Sequence, residues 1–123
     1  MRRTAAVLAI LTCAVALLSG CGDDEPAKDP GSTTTETKTI EITFSGDTVE
    51  PNGERVDVKV GQEIELEVKA DEPGEIHVHS NPEQEFEYGA GTTTLTLDPI
   101  EEPGVVDVES HHLEVVIVQL EVS

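Results

Sequence analysis

TIEITFSGDTVEPNGERVDVKVGQEIELEV, residues 39–68, switches between apolar and polar side chains in three successive runs. Ile40, Ile42 and Phe44 alternate with Thr39, Glu41 and Thr43. Val56, Val58 and Val60 alternate with Asp57 and Lys59, and Ile64, Leu66 and Val68 with Glu63, Glu65 and Glu67. A period of two puts each apolar set on one face of an extended strand and its polar neighbours on the other. The interruptions, Pro51-Asn52-Gly53 and Gly61-Gln62, are turn chemistry. Similar runs follow at 75–80, 92–97, 105–110 and 114–122, divided by Asp71-Glu72-Pro73-Gly74, Gly89-Ala90-Gly91 and Glu102-Pro103-Gly104. No window shows a helical stripe, so seven short strands between residues 39 and 123 predict an all-β fold, an antiparallel sandwich or a small barrel. Its core is mostly Val, Ile and Leu. With no Trp, one Tyr and two Phe in the chain, the interior has modest volume and no obvious ligand cavity.

The N-terminus reads differently. Arg2 and Arg3 precede an apolar run from Ala5 to Leu18, and the first 20 residues contain no acid, the pattern of a bacterial export signal removed from the mature protein. The run is short of the roughly 20 apolar residues that a bilayer-spanning helix needs. Leu18-Ser19-Gly20-Cys21 resembles the lipobox of bacterial lipoproteins, which implies that Cys21 is lipidated and becomes the new N-terminus. Cys13 leaves with the leader, so no intrachain disulfide forms. Residues 22–38 (GDDEPAKDPGSTTTETK) are polar, contain Pro and Gly, and lack periodicity, so residues 21–38 read as a lipidated Cys and a disordered acidic tether. Such a tether has a root-mean-square reach of about 20–25 Å. Asp23, Asp24 and Glu25 would repel anionic head groups and lift the domain from the surface. The expected organisation is a signal peptide (1–20), this tether (21–38) and a sandwich domain (39–123), extracytoplasmic and lipid-anchored to the cell membrane.

Charge narrows the function. The chain has 26 Asp or Glu against 7 Lys or Arg, a net charge of −19 that becomes −21 once Arg2 and Arg3 are removed. Phosphate neutralisation requires Lys and Arg in number, so nucleic-acid binding is excluded. Glu63, Glu65 and Glu67 share one strand face but lack the Gly-turned oxygen loop of a calcium site, and read as a solvated outer face that discourages edge pairing.

The histidines ask for chemistry. All four lie between residues 77 and 112. In Glu75-Ile76-His77-Val78-His79-Ser80, Ile76 and Val78 take the core face, so His77 and His79 share the other, about 6.6–6.8 Å apart along the strand. Both imidazoles can then converge on one metal ion with bonds of about 2 Å. Val106 and Val108 alternate inward after Pro103-Gly104, and their strand runs into Ser110-His111-His112, where His111 is the residue expected to face the first pair. Three imidazoles suit copper(II), with zinc as the alternative, and water or a carboxylate such as Glu109 would complete the shell.

The order of these elements, with residues 103–112 (PGVVDVESHH) leading into Val118-Gln119-Leu120-Glu121-Val122, resembles the cupredoxin superfamily over residues 39–123. In that superfamily a turn ending in Gly leads a strand into a ligand loop, and a last alternating strand closes the sandwich, so the resemblance implies an all-β, antiparallel Greek-key β-sandwich. Counting from Gly104, the thiolate position falls on Ser110. The axial Met position has only Val115, Val116 or Ile117 nearby, and Met1 leaves with the leader. Without thiolate and thioether, a blue-copper electron-transfer site is not expected. Within the superfamily the chain resembles short actinobacterial lipoproteins with a cupredoxin-like domain. That resemblance implies His77, His79 and His111 as metal ligands, and not His112.

Two functions follow. One is a lipid-anchored metal buffer or chaperone that passes copper to a transfer partner. The other is a metal-free accessory or interaction module for another envelope protein, with no cofactor. An enzyme is not expected: Ser110 followed directly by His111 is no triad, and no orienting acid is identifiable.

Overall fold

The computed structural model describes residues 35–123. The leader, the lipobox with Cys21 and most of the tether lie outside the described residues. Nine strands follow in order: β1 (Lys38–Ser45), β2 (Thr48–Glu50), β3 (Glu54–Val58), β4 (Ile64–Ala70), β5 (Gly74–Val78), β6 (Gln84–Tyr88), β7 (Gly91–Leu97), β8 (Gly104–Ser110) and β9 (Val115–Val122). They form two sheets, of order β2-β1-β4-β7 and β3-β9-β8-β5-β6. This is the all-β sandwich that the alternating runs predict, with no helix among the described residues.

Burial follows the alternation. Ile40, Ile42 and Phe44 of β1, Ile64, Leu66 and Val68 of β4, and Leu95 and Leu97 of β7 face the interior from one sheet. Ile76 and Val78, Val106 and Val108, and Ile117, Val118, Leu120 and Val122 face it from the other. Each such side chain contributes about 1.5–3 kcal/mol by leaving water. Val60, expected on an inner face, lies beyond the end of β3 and is exposed. There Gln62 closes a turn, its side-chain oxygen accepting from the Lys59 amide at 2.8 Å.

The strand pairing corrects the expectation of an antiparallel sandwich, because two pairs are parallel. β1 runs parallel to β4 (Ile40 opposite Leu66) and β3 parallel to β9 (Val56 opposite Leu120). The reason is the path of the chain. It leaves the four-stranded sheet after β2, crosses to form β3 as an edge of the other sheet, and returns to lay β4 beside β1 in the same direction. Parallel neighbours need such a long connection, which short hairpin turns do not supply. The sheets are therefore mixed.

Two strands were not expected. β2 has only three residues, too few to show a period. β6, QEFEY, alternates Glu85 and Glu87 with the partly buried Phe86 and the buried Tyr88, a weak period-two signal dominated by its acids. It pairs with β5, placing Glu85 opposite His77 and Glu87 opposite Glu75.

β5 fills the sheet between β6 and β8, and Gly74 at its start is a packing requirement. A Cβ there would fall on the Tyr88 hydroxyl and come within 2.6 Å of its ring carbon Cζ. Tyr88 cannot swing aside freely, because its ring stacks on Phe44 with centroids 4.9 Å apart. Gly74→Ala is expected to lower stability by about 1–3 kcal/mol through overpacking. Denaturant titration checks this, an unchanged midpoint being the contrary result.

Candidate metal centre

The inward faces of β5 and β8 decide where the histidines go. Val78 and Val108 are paired and both fully buried, so their neighbours His77 and Glu109, also paired, stand on the outer face of the five-stranded sheet. The ladder continues by one bond, His79 N donating to the Asp107 carbonyl at 2.9 Å, which keeps His79 on the same side as His77. A register shift against β9 between Val108 and Glu109 marks a bulge at this point. Bulges of this kind re-aim side chains near sheet ends. The turn of residues 111–114 then folds His111 back over the outer face.

His79, Glu109 and His111 form one group, with a ligand atom from each within 4.8 Å of the others. Glu109 Oε2 lies 2.9 Å from His79 Nε2 and 3.9 Å from His111 Nε2. Four ligands bonded tetrahedrally at about 2.0–2.1 Å sit roughly 3.3–3.4 Å from one another, so these separations bracket those of atoms sharing one ion. Two imidazoles and a carboxylate are donors suited to copper(II) or zinc. All three side chains retain access to solvent, His111 most at 54% and Glu109 least at 29%.

The structure puts His77 elsewhere. Its ring stacks against that of His111 with centroids 3.7 Å apart, and its side chain is only 8% exposed. Nε2 of His77 is hydrogen-bonded to Glu75, while Nδ1 faces Glu85 at 3.5 Å and Glu83 at 3.6 Å without a hydrogen-bond partner. His79 and His111 thus meet around Glu109, and His77 lies behind His111 with acids of its own. His112 joins neither group and lines the groove beside Gly74 and Tyr88. The acids that sequence reasoning missed, Glu75, Glu83 and Glu85, come from β5, β6 and the turn between them. Only the unrecognised β5–β6 hairpin could have found Glu85 opposite His77.

Ser110, at the position where the superfamily resemblance puts a thiolate, is buried, and its Oγ accepts from the Leu113 amide at 3.4 Å. Its oxygen holds the turn of residues 111–114.

Electrostatics act on His77. The hydrogen bond with Glu75, aided by the neighbouring carboxylates of Glu85 and Glu83, holds its pKa above the ordinary 6.5 against the opposite effect of burial. Because the folded value is the higher one, the stabilisation is fully present below pH 6.5 and is lost as the pH rises through the raised folded value. In the metal-free domain the urea midpoint is expected to fall as the pH is raised above 6.5, and His77→Gln should remove that part of the slope. Parallel pH profiles for the two proteins would contradict this assignment.

No protein-family model matches the chain, and no curated protein is similar to it in sequence. Solved structures are similar in fold. A methionine-to-alanine variant of amicyanin in its Cu(I) form is 14% identical, with a TM-score of 0.52 over 69% of this chain and 82% of that one. Auracyanin A, a blue copper protein from Chloroflexus aurantiacus, is 15% identical, with a TM-score of 0.50 over 72% of this chain and all of that one. A multi-copper oxidase from Pediococcus acidilactici is 15% identical, with a TM-score of 0.51 over 79% of this chain but only 29% of the oxidase. At such identities the likeness shows the fold: residues 38–122 form a cupredoxin-like β-sandwich.

Proposed function

We propose that the domain binds copper(II) through His79, Glu109 and His111, with His77 packed behind them, and holds the ion for transfer outside the cytoplasm. The observation that supports this reading is the convergence of His79 and His111, 32 positions apart in sequence, on one carboxylate at distances suited to a shared ion. Imidazole and carboxylate nitrogen and oxygen donors favour copper(II) over other divalent first-row ions, with zinc the nearest competitor. Residues 22–123 contain neither Cys nor Met. A thiolate-based blue-copper centre therefore cannot form there, and electron transfer of that type is not part of the proposal.

The accessibility of His79, Glu109 and His111 supports exchange rather than permanent storage. An ion held on an open sheet face leaves room for a partner's ligands to approach before the first bonds break. The acidic surface raises the local cation concentration, most at low ionic strength. Tethering through lipidated Cys21 would keep the domain at the membrane, where an envelope partner could collect the ion. The proposal is a metal buffer or chaperone and not an enzyme. The Ser110 hydroxyl is buried and accepts from the Leu113 amide.

A specific observation favours a second reading, a metal-free interaction module. Nε2 of His77 and Nε2 of His79 are already met by carboxylates, so the cluster has polar partners without an ion. The test uses the chain from Gly22, which has no thiol to compete for copper. Electron paramagnetic resonance of the protein loaded with copper(II) should show hyperfine structure from two imidazole nitrogens on one ion, a pattern that a His79→Ala, His111→Ala double variant loses. A hundredfold excess of free copper(II) over its dissociation constant should stabilise the wild-type protein by about 2.7 kcal/mol. Weak binding at many sites, unaltered in the variant, would overturn the copper reading in favour of the interaction module.

A further inference from the structure

The imidazole of His77 is oriented for a ligand that the His79 group does not supply. Carboxylates only accept hydrogen bonds, so the contact with Glu75 places a proton on Nε2 of His77. Nδ1 is then the lone-pair end of a neutral ring. It is a buried atom without a hydrogen-bond partner, on a side chain 8% exposed, and it faces Glu85 and Glu83 at 3.5 and 3.6 Å. A lone pair aimed at two carboxylates is unfavourable unless a cation lies between them. A second proton on the ring is one such cation and a metal ion is the other.

Geometry and local chemistry fit the metal ion. Atoms bound to one ion at about 2.0–2.1 Å lie roughly 3.3–3.4 Å apart in a tetrahedral shell, close to both separations. Metal-bound histidines commonly donate their other ring N–H to a carboxylate, which fixes the ring and strengthens the free nitrogen as a donor. Glu75 stands in that relation to His77. The backbone also holds the set together, since Glu85 is the cross-strand partner of His77 in the β5–β6 hairpin.

We propose that His77 Nδ1, Glu83 and Glu85 form a second divalent-metal position beside the first, so that the sheet face binds two ions. This rests on the proposed function for its first ion but uses a separate donor set. Glu83 lies between the two groups, 3.6 Å from His77 Nδ1 and 3.4 Å from His79 Nδ1. One imidazole and two carboxylates make the second position the harder of the two. Copper(II) nevertheless heads the affinity order of divalent first-row ions for any such site, and so it is the most sensitive probe.

The experiment measures copper(II) retained per chain, on the chain from Gly22, after gel filtration and elemental analysis. Two equivalents are expected in the wild-type protein. Glu85→Gln should reduce this to one and preserve the two-nitrogen hyperfine pattern of the His79 group, whereas His111→Ala should lose that two-nitrogen pattern. Glu65→Gln, a change on the other sheet, should retain two equivalents, which separates the site from general cation collection by the acidic surface. A wild-type protein that holds one equivalent, unchanged by Glu85→Gln, would overturn the second position and leave the first standing. Two equivalents that persist in Glu85→Gln would overturn the assignment of its ligands. A protein that retains no copper would overturn both positions.

Discussion

The short pairing of β5 with β8 is the contact on which the site depends. Val78 meets Val108 on the inner face and His77 meets Glu109 on the outer face. Because successive side chains alternate, a slip of one residue would move the outer side chain of the slipped strand, His77 in β5 or Glu109 in β8, into the core and its valine into water. Burial of two fully enclosed valines therefore locks the register that brings His79 to Glu109. The same burial prevents the histidines from escaping inward. An apolar requirement on one side of the sheet specifies a polar constellation on the other.

Charge shapes what that constellation can do. With acids outnumbering bases nearly fourfold, outer faces bring carboxylates together even where nothing binds: Glu41 stands opposite Glu67 in the β1–β4 ladder. Lys69 relieves that pair in part, its ammonium 3.4 Å from Glu67, and Arg55 meets Glu121 at 2.9 Å on the surface. Exposed pairs of this kind contribute at most about 1 kcal/mol. The acids around His77 are Glu75, Glu83 and Glu85, and none of them pairs with a Lys or Arg among the described residues. There the nearest compensating charge is the imidazole itself, whose pKa these acids raise, and the same carboxylates are the ones assigned to the proposed second ion.

The end of β8 shows how a shared sandwich can be put to other chemistry. Ser110 closes the 111–114 turn with its hydroxyl, so the turn's conformation does not depend on a metal-bound side chain at that position. The donors of the His79 group instead stand outside the sheet, on side chains that solvent reaches. Such an arrangement gives up the redox tuning of a sulfur-ligated centre. The donors left for the proposed ion are the hard and borderline imidazoles and carboxylates.

Much of this was legible from residues 39–123 because the period-two burial pattern is local. Ile42, Leu66, Ile76, Val108 and Leu120 announce their inward faces in sequence, and the same alternation sends His77, His79 and Glu109 outward. The grouping of the site was not legible. Whether His77 shares an ion with His79 and His111 depends on a turn that stacks His111 over its ring, and on the β5–β6 hairpin that brings Glu83 and Glu85 to Nδ1. The parallel pairs were hidden for a related reason, since alternation records which face a strand buries and not which strand lies beside it. The sequence by itself determined seven of the nine strands, most of their buried faces and the donor types, because these follow from the chemistry of neighbouring residues. Tertiary structure alone decided strand neighbours, their direction and the division of the histidines, because those depend on contacts between residues far apart in the chain.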